Sequence, residues 1–70
     1  MKCNIRYLGK YGRVDTGFKH WVANEGNPQE RLMYTVDKDH AMVYNSETEA
    51  EDIIQMHDPL MERHLVVIAE

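Results

Sequence analysis

A single amphipathic helix is marked at both ends between Ser46 and Pro59. Ser46 and Glu49 have the S-x-x-E spacing of a capping box, in which each side chain satisfies a free backbone N–H group at the helix start. Pro59 disfavours helical geometry at the preceding residue, so the helix should end near His57, although Asp58-Pro59 could also cap one further short turn. Apolar positions recur at helical spacing on one stripe: Ala50, Ile53, Ile54 and His57. The sequence therefore predicts one helix with one buried face.

Strand patterns flank this helix on both sides. Residues 3–7 and 31–36 alternate apolar and polar side chains, which is typical of half-buried strands. Residues 18–23 also fit a helix, but their aromatic and β-branched content favours a strand, and 41–44 forms a short one. The run HLVVIA, residues 64–69, is apolar throughout and predicts a buried strand inside the sheet, which leaves the strand around Cys3 to Leu8 as an edge.

These elements predict an α+β fold in a single domain, residues 1–70. The expected order is about β-β-β-β-α-β, a small twisted, mostly antiparallel sheet with one amphipathic helix packed on one face. The loop NEGNPQE and the polar turn DKDH are each expected to join the strands of a hairpin. A chain this short buries little surface, so self-association, as a homodimer or a larger homo-oligomer, is a further expectation.

The sequence also bears on the cellular compartment. Cys3 is the only cysteine, so no internal disulfide can form, which fits a reducing environment, and Cys3 itself is expected to be a small core residue. The first ten residues hold no apolar run of signal-peptide length, and no segment approaches a membrane span. We therefore expect a cytoplasmic protein without membrane contact.

Candidate catalytic and metal-binding motifs are weak. The four histidines, His20, His40, His57 and His64, lack the paired spacing of zinc sites, and His57 is expected to be a packed histidine with one hydrogen bond. Ser46 is explained as a helix cap, and no nucleophile elbow or phosphate-binding glycine loop is present. The sequence predicts no enzyme activity, no cofactor and no metal.

The charges are distributed unevenly along the chain. Residues 1–24 carry five basic side chains against one acidic one, whereas residues 25–70 carry three basic against eleven acidic, for a net charge of −4. Mutual attraction of the two halves would explain this, but it could also mark an interaction surface. The basic half interleaves cations with aromatic rings, as single-strand binders do, and a nucleic-acid-associated module is one alternative function. Its residues are Arg6, Tyr7, Lys10, Tyr11, Arg13, Phe18, Lys19, His20 and Trp21.

The helix carries more acid than its start requires. Capping and the helix dipole account for Ser46, Glu47 and Glu49, but less well for Glu51 and Asp52, and no Lys or Arg follows either acid four residues later. We therefore predict a partner-binding face directed at a basic protein surface, one that could normally hold nucleic acid. We call this set the acidic face: Glu47, Glu51, Asp52, Gln55 and Met56.

The run from Ala41 to Ala50, AMVYNSETEA, resembles a layout common among small phage and prophage proteins. In that layout an A-x-x-F/Y strand end leads through a Ser or Thr cap and an E-A pair into an amphipathic helix, and a last strand closes the sheet. The resemblance covers roughly residues 31–69 and transfers no functional residue. It implies an accessory or inhibitory protein that binds a host or defence protein, with anti-CRISPR-like inhibitors among the group. Three expectations stay open: an inhibitor, a nucleic-acid-associated module, and a homo-oligomer that functions at its subunit interface.

Overall fold

The computed structural model describes residues 1–8 and 20–69. It contains four strands, β1 (Cys3–Tyr7), β2 (His20–Val22), β3 (Tyr34–Thr35) and β4 (His64–Ile68), a 3-10 turn (Lys38–His40), and one helix, α1 (Glu47–His57). The strands form one antiparallel sheet in the order β3-β2-β1-β4, and α1 packs against β1 and β4. The predicted α+β class, with one helix on one face of an antiparallel sheet, is confirmed.

Strand alternation decides which side chains meet the helix. Cys3 and Ile5 of β1 point towards α1, with Val66 directly opposite Ile5 on β4. The helix contributes the stripe predicted for it, with Ala50 and Ile54 fully buried and Ile53 partly buried. The fully buried side chains of the core are Cys3, Ile5, Val22, Tyr44, Ala50 and Ile54.

The two ends of α1 also follow the sequence. Ser46 is the N-cap, its Oγ accepting a hydrogen bond from the Glu49 amide at 3.1 Å. The reciprocal arm of the capping box reaches one residue further than expected, since Glu49 Oε2 accepts from the amide of Asn45 at 3.3 Å. The helix ends at His57, as Pro59 predicts. The alternative further helical turn does not form: residues 59–63 make turns and bends, with Met61 at a positive φ of 52°.

The order of the strands in the sheet differs from the prediction. β1 is central and β4 is an outer strand, so the expectations of an edge at residues 3–8 and an interior strand at 64–69 were both wrong. Within this central strand, the polar Asn4 is buried and donates to the Met42 carbonyl at 3.0 Å. In β4, Leu65 and Ile68 stay 46% and 41% exposed. A continuous apolar run does not by itself distinguish a central strand from an edge strand.

The segment from residue 31 to residue 44 also departs from the prediction. The hairpin around NEGNPQE is confirmed, because β2 pairs with β3, but β3 is only two residues long and Val36 is 72% exposed. The hairpin around DKDH is wrong. After β3 ends, the side chain of Asp37 caps the 3-10 turn. The chain then crosses to β1, where Tyr44 forms an isolated bridge with Cys3. Residues 41–44 are therefore not a strand.

The predicted strand over residues 18–23 is confirmed for His20–Val22, and Ala23 follows the strand. Phe18 and Lys19, together with the glycine-flanked GKYGR segment, lie outside the described residues.

Candidate functional site: an acidic helix face and a histidine-centred groove

The acidic face predicted on α1 lies on the solvent side of the helix. All five of its residues are exposed, and Met56 is 46% exposed. No ion pair joins its carboxylates to any of the described Lys or Arg side chains. Glu49, by contrast, is engaged in the helix cap. The structure therefore separates the acids with a capping role from those without one.

A second feature was not predicted. An open groove of about 500 Å³ lies where the C-terminal end of α1 meets the sheet, and its walls carry both charges and rings. The residues that matter for its chemistry are Tyr7, Tyr34, Asp58, His64, Arg31 and Arg63.

A chain of hydrogen bonds runs through this groove. His64 is 5% exposed, with Nδ1 3.0 Å from Asp58 Oδ2 and Nε2 2.8 Å from the Tyr34 hydroxyl. Since an ionised carboxylate only accepts, Nδ1 carries the proton donated to Asp58, and in that tautomer Nε2 accepts from the Tyr34 hydroxyl. The Tyr7 ring packs against both side chains, with its centroid 4.8 Å from the Tyr34 ring and 5.3 Å from the His64 ring. Every polar atom of the His64 ring is therefore paired.

Two pKa shifts show how this chain is held. Burial by itself would raise the pKa of Asp58, but hydrogen bonds from His64 and from the amides of Arg63 and Glu62 outweigh it, and the pKa is lowered. Burial, followed by the charges of Tyr7 and Asp58, raises the pKa of Tyr34 to about 12. Asp58 is thus an ionised acceptor at neutral pH, and Tyr34 is a neutral donor.

Carboxylate, imidazole and hydroxyl follow one another as the orienting acid, the base and the nucleophile do in a catalytic triad. An activated nucleophile needs a lowered barrier to losing its proton, however, and the pKa of Tyr34 moves the other way. The raised pKa of the Tyr34 hydroxyl therefore favours a structural tie across the sheet over an activated nucleophile. No local sequence signal could have revealed it, because Tyr34 and His64 are 30 residues apart.

His57, His40 and His64 each make a separate set of contacts. His57 is half-buried and lies 2.9 Å from the Gly26 carbonyl through Nε2, which confirms a packed histidine with one hydrogen bond. His40 is exposed beside Asp37, and His64 belongs to the groove. Within residues 1–8 and 20–69, no group of three or more His, Cys, Asp or Glu side chains is placed to hold a metal ion.

The basic and aromatic stretch is described only in part. The Trp21 ring has the Arg6 guanidinium 5.9 Å and the Lys38 ammonium 5.2 Å from its centroid, which is within cation–π range. Tyr7 lines the groove, where its ring packs against Tyr34. His20 is the first residue of β2, and the other members, Lys10, Tyr11, Arg13, Phe18 and Lys19, lie outside the described residues.

Comparison with protein-family models, with curated proteins and with solved structures found no significant match for this chain. In the described part of the chain, α1 is too short and too polar to cross a membrane.

Proposed function

We propose that this chain is a small, non-enzymatic protein-interaction protein whose acidic face docks on a basic surface of a partner protein. The observation that supports the proposal is the exposure of Glu47, Glu51 and Asp52 without a described cationic neighbour. A partner that supplies the missing positive charge would complete this surface.

The charge pattern is unfavourable for the helix taken alone. Glu47 and Glu51 are four residues apart, and like charges at this spacing cost about 0.2–0.5 kcal/mol. Asp52 is followed at the same spacing by Met56, so neither Glu51 nor Asp52 has a basic i+4 partner. A helix face that is merely solvated commonly carries acidic and basic residues four positions apart, which form ion pairs. The departure from that pattern is what favours a binding role.

The same proposal extends to the biological setting. The resemblance of residues 41–50 to small phage proteins supports a phage-encoded inhibitor that acts in the cytoplasm on a host or defence protein. Proteins that bind nucleic acid present basic surfaces, and an acidic helix competes for such a surface through charge complementarity. A homodimer is compatible with this function, since α1 lies on one face of the sheet and leaves the sheet edges to other contacts.

The test compares charge reversal on the acidic face with an equal reversal elsewhere. The test variant is Glu51→Lys with Asp52→Lys, and the matched control is Glu30→Lys with Asp39→Lys, two exposed acids outside α1 that give the same change in net charge. Tagged wild type and both variants are used to capture proteins from a bacterial lysate, and folding is checked by circular dichroism.

The expected result is a basic protein that wild type and control retain, that the test variant loses, and that a polyanion such as heparin displaces. Retention of the same partner by the folded test variant, with unchanged affinity and salt dependence, would show that the acidic face is only a well-capped helix surface.

A second candidate function, a nucleic-acid-associated module, is favoured by one observation. Arg6 and Lys38 flank the ring of Trp21, which is half-buried. Stacked bases and nearby cations form the usual platform for single strands, although the net charge of −4 opposes phosphate binding. Trp21 is the only tryptophan, so quenching of its fluorescence by a single-stranded oligonucleotide, reversed by salt, would support this candidate directly. Unquenched fluorescence at low salt would count against it.

A further inference from the structure

The outer side of β4 presents backbone groups that no described strand pairs. Leu8 donates to the Arg63 carbonyl at 2.7 Å, and Ala69 donates to the Lys2 carbonyl at 2.9 Å. These two bonds show which opposed residues of β1 and β4 are hydrogen-bonded pairs. Because hydrogen-bonded pairs alternate along an antiparallel ladder, Leu65 and Val67 direct their N–H and C=O groups towards β1. His64, Val66 and Ile68 therefore direct theirs away from the sheet.

In the part of the chain that the structure describes, this edge lacks the features that usually protect an outer strand. Its sequence, HLVVI, contains no Lys, Arg, Asp, Glu or Pro, and all five residues pair regularly with β1, without a bulge. Leu65 and Ile68 also leave large apolar side chains 46% and 41% exposed. The opposite edge differs, because β3 is only two residues long.

We propose that β4 pairs with β4 of a second copy of this chain, antiparallel about a two-fold axis at Val66. This register opposes Val66 to Val66, Leu65 to Val67 and His64 to Ile68, so no charged side chain enters the strand pair. It also overlaps the two five-residue strands in full, which no other symmetric register does. The outward groups of His64, Val66 and Ile68 then form three hydrogen-bonded pairs, with two bonds in each.

The sequence of the strand argues for a second copy as its occupant. A foreign strand with charged residues would set them against Leu65 or Ile68, whereas a second β4 sets the apolar Val67 against Leu65 and the largely buried His64 against Ile68. A two-fold contact is also closed, so that pairing stops at the dimer. The result is one continuous sheet through both protomers.

The symmetry has a consequence for α1. A two-fold axis perpendicular to the sheet keeps each side of the sheet on the same side in both copies. Since α1 covers β1 and β4, the two helices lie on one face of the dimer, on either side of the axis. If the proposed function holds, the dimer presents two acidic faces on that same side, and this consequence alone rests on that function.

Amide hydrogen exchange of the wild-type protein tests the proposal one residue at a time. Leu65 and Val67 bond to β1 and should be protected at all protein concentrations. Val66 and Ile68 should exchange freely in dilute solution and become protected as concentration rises, which gives an alternating pattern along one strand. If Val66 and Ile68 exchange freely at every concentration at which Leu65 and Val67 are protected, the proposal is wrong.

A variant pair gives a second, independent measurement by sedimentation equilibrium. Ile68→Pro removes only an outward N–H group, and proline is tolerated at sheet edges, so the monomer should keep its fold. It should weaken the dimer about tenfold or more, since one bond is lost in each of two symmetric pairs. The control Val36→Lys changes an exposed apolar residue away from β4 and should leave the dimer intact. A wild-type monomer at all concentrations, or a dimer unaffected by Ile68→Pro, would overturn the proposal.

Salt separates this contact from the one proposed for the acidic face. Two copies of net charge −4 repel each other, so added salt should strengthen the dimer, whereas it should weaken docking on a basic partner. Since the dimer is measured without any partner, either proposal can fail while the other stands.

Discussion

The Tyr34 hydroxyl lies 2.8 Å from Nε2 of His64, and this hydrogen bond joins the two outer strands of the sheet. Strands are spaced about 4.8 Å apart, so β3 and β4 are separated by roughly 14 Å. The two side chains can span that distance because both lie along the α1 side of the sheet, where the Tyr7 ring packs against each of them. Asp58 fixes the far side of the imidazole. This end of the sheet is held by side chains rather than by additional strand pairing.

Removing the Tyr34 hydroxyl should destabilise the fold. Tyr34→Phe leaves the buried Nε2 of His64 without its partner, which costs about 1–3 kcal/mol in the free energy of unfolding. Urea unfolding of wild type, Tyr34→Phe, His64→Ala and the double variant measures the loss and its coupling. If the losses in unfolding free energy of the two single variants add up to that of the double variant, the hydrogen bond contributes nothing of its own.

Asp58→Asn should change how stability depends on acid. Since the pKa of Asp58 is lowered on folding from its ordinary value of 3.8, its contribution is complete above that value and is lost as the pH falls through the lower, folded-state pKa. The variant should be less stable at neutral pH by about 1–3 kcal/mol, the worth of hydrogen bonds to a charged group. The difference from wild type should shrink below pH 3.8.

Thermal melts of both proteins across the acid range measure this change. The control is Asp39→Asn, which alters an exposed carboxylate outside the groove and should have little effect at any pH. A wild-type advantage that persists unchanged at the most acidic pH would contradict the assignment to Asp58.

Alkaline pH should act through the two tyrosines with raised pKa values. Burial, followed by the charges of Glu49 and Glu25, raises the pKa of Tyr44 to about 12, and Tyr34 has the same value. Both start from about 10 in the unfolded chain, so their contribution is complete below pH 10 and is lost as the pH rises towards 12. Phenolate absorbance should show two late-ionising groups, one fewer in Tyr44→Phe. Titration of every tyrosine near pH 10 in the folded protein would refute this.

Gly26→Ala should destabilise the packing between the 23–33 loop and α1. Gly26 has a φ of +70°, and a Cβ there would lie 2.6 Å from Ile53 Cγ2 and 3.0 Å from Leu32 Cδ2. Left-handed strain and overpacking each cost about 1–3 kcal/mol. The change should also disturb the hydrogen bond between His57 and the Gly26 carbonyl.

The double variant Gly26→Ala with Ile53→Ala separates these causes, because it removes the closest contact and leaves the backbone strain. Its thermal stability should exceed the value expected from adding the two single effects. A Gly26→Ala protein that melts with wild type would show that the loop is placed differently.

The parts of the fold that the sequence predicted correctly depend on interactions between residues that are close in the chain. Ser46, Glu49 and Pro59 determine where α1 begins and ends through groups within a few residues, so the helix could be placed without tertiary information. Its buried stripe follows from helical spacing, and the burial of Cys3 and Ile5 follows from alternation. The exposure of the acidic face follows from the same spacing, whereas its role as a binding surface stays a prediction.

The arrangement of the strands was decided by contacts between distant residues. The polar Asn4 can be buried in the central strand because it donates to the Met42 carbonyl, 38 residues away in the chain. Residues 41–44 look like half of a hairpin, but Tyr44 fills the core and bridges to Cys3 instead of pairing with β3.

By itself, then, the sequence determined the helix, its acidic face, the β2–β3 hairpin and the α+β class, because periodicity and capping act over one or two turns. Only the tertiary structure decided that β1 is central, that β4 is an edge, and that Tyr34, His64 and Asp58 meet. The partner of a buried polar group is the group that the complete fold brings to about 3 Å from it, as Tyr34 and Asp58 are brought to His64. Tyr34 and His64 are 30 residues apart in the chain, so no local pattern in the sequence indicates that they meet.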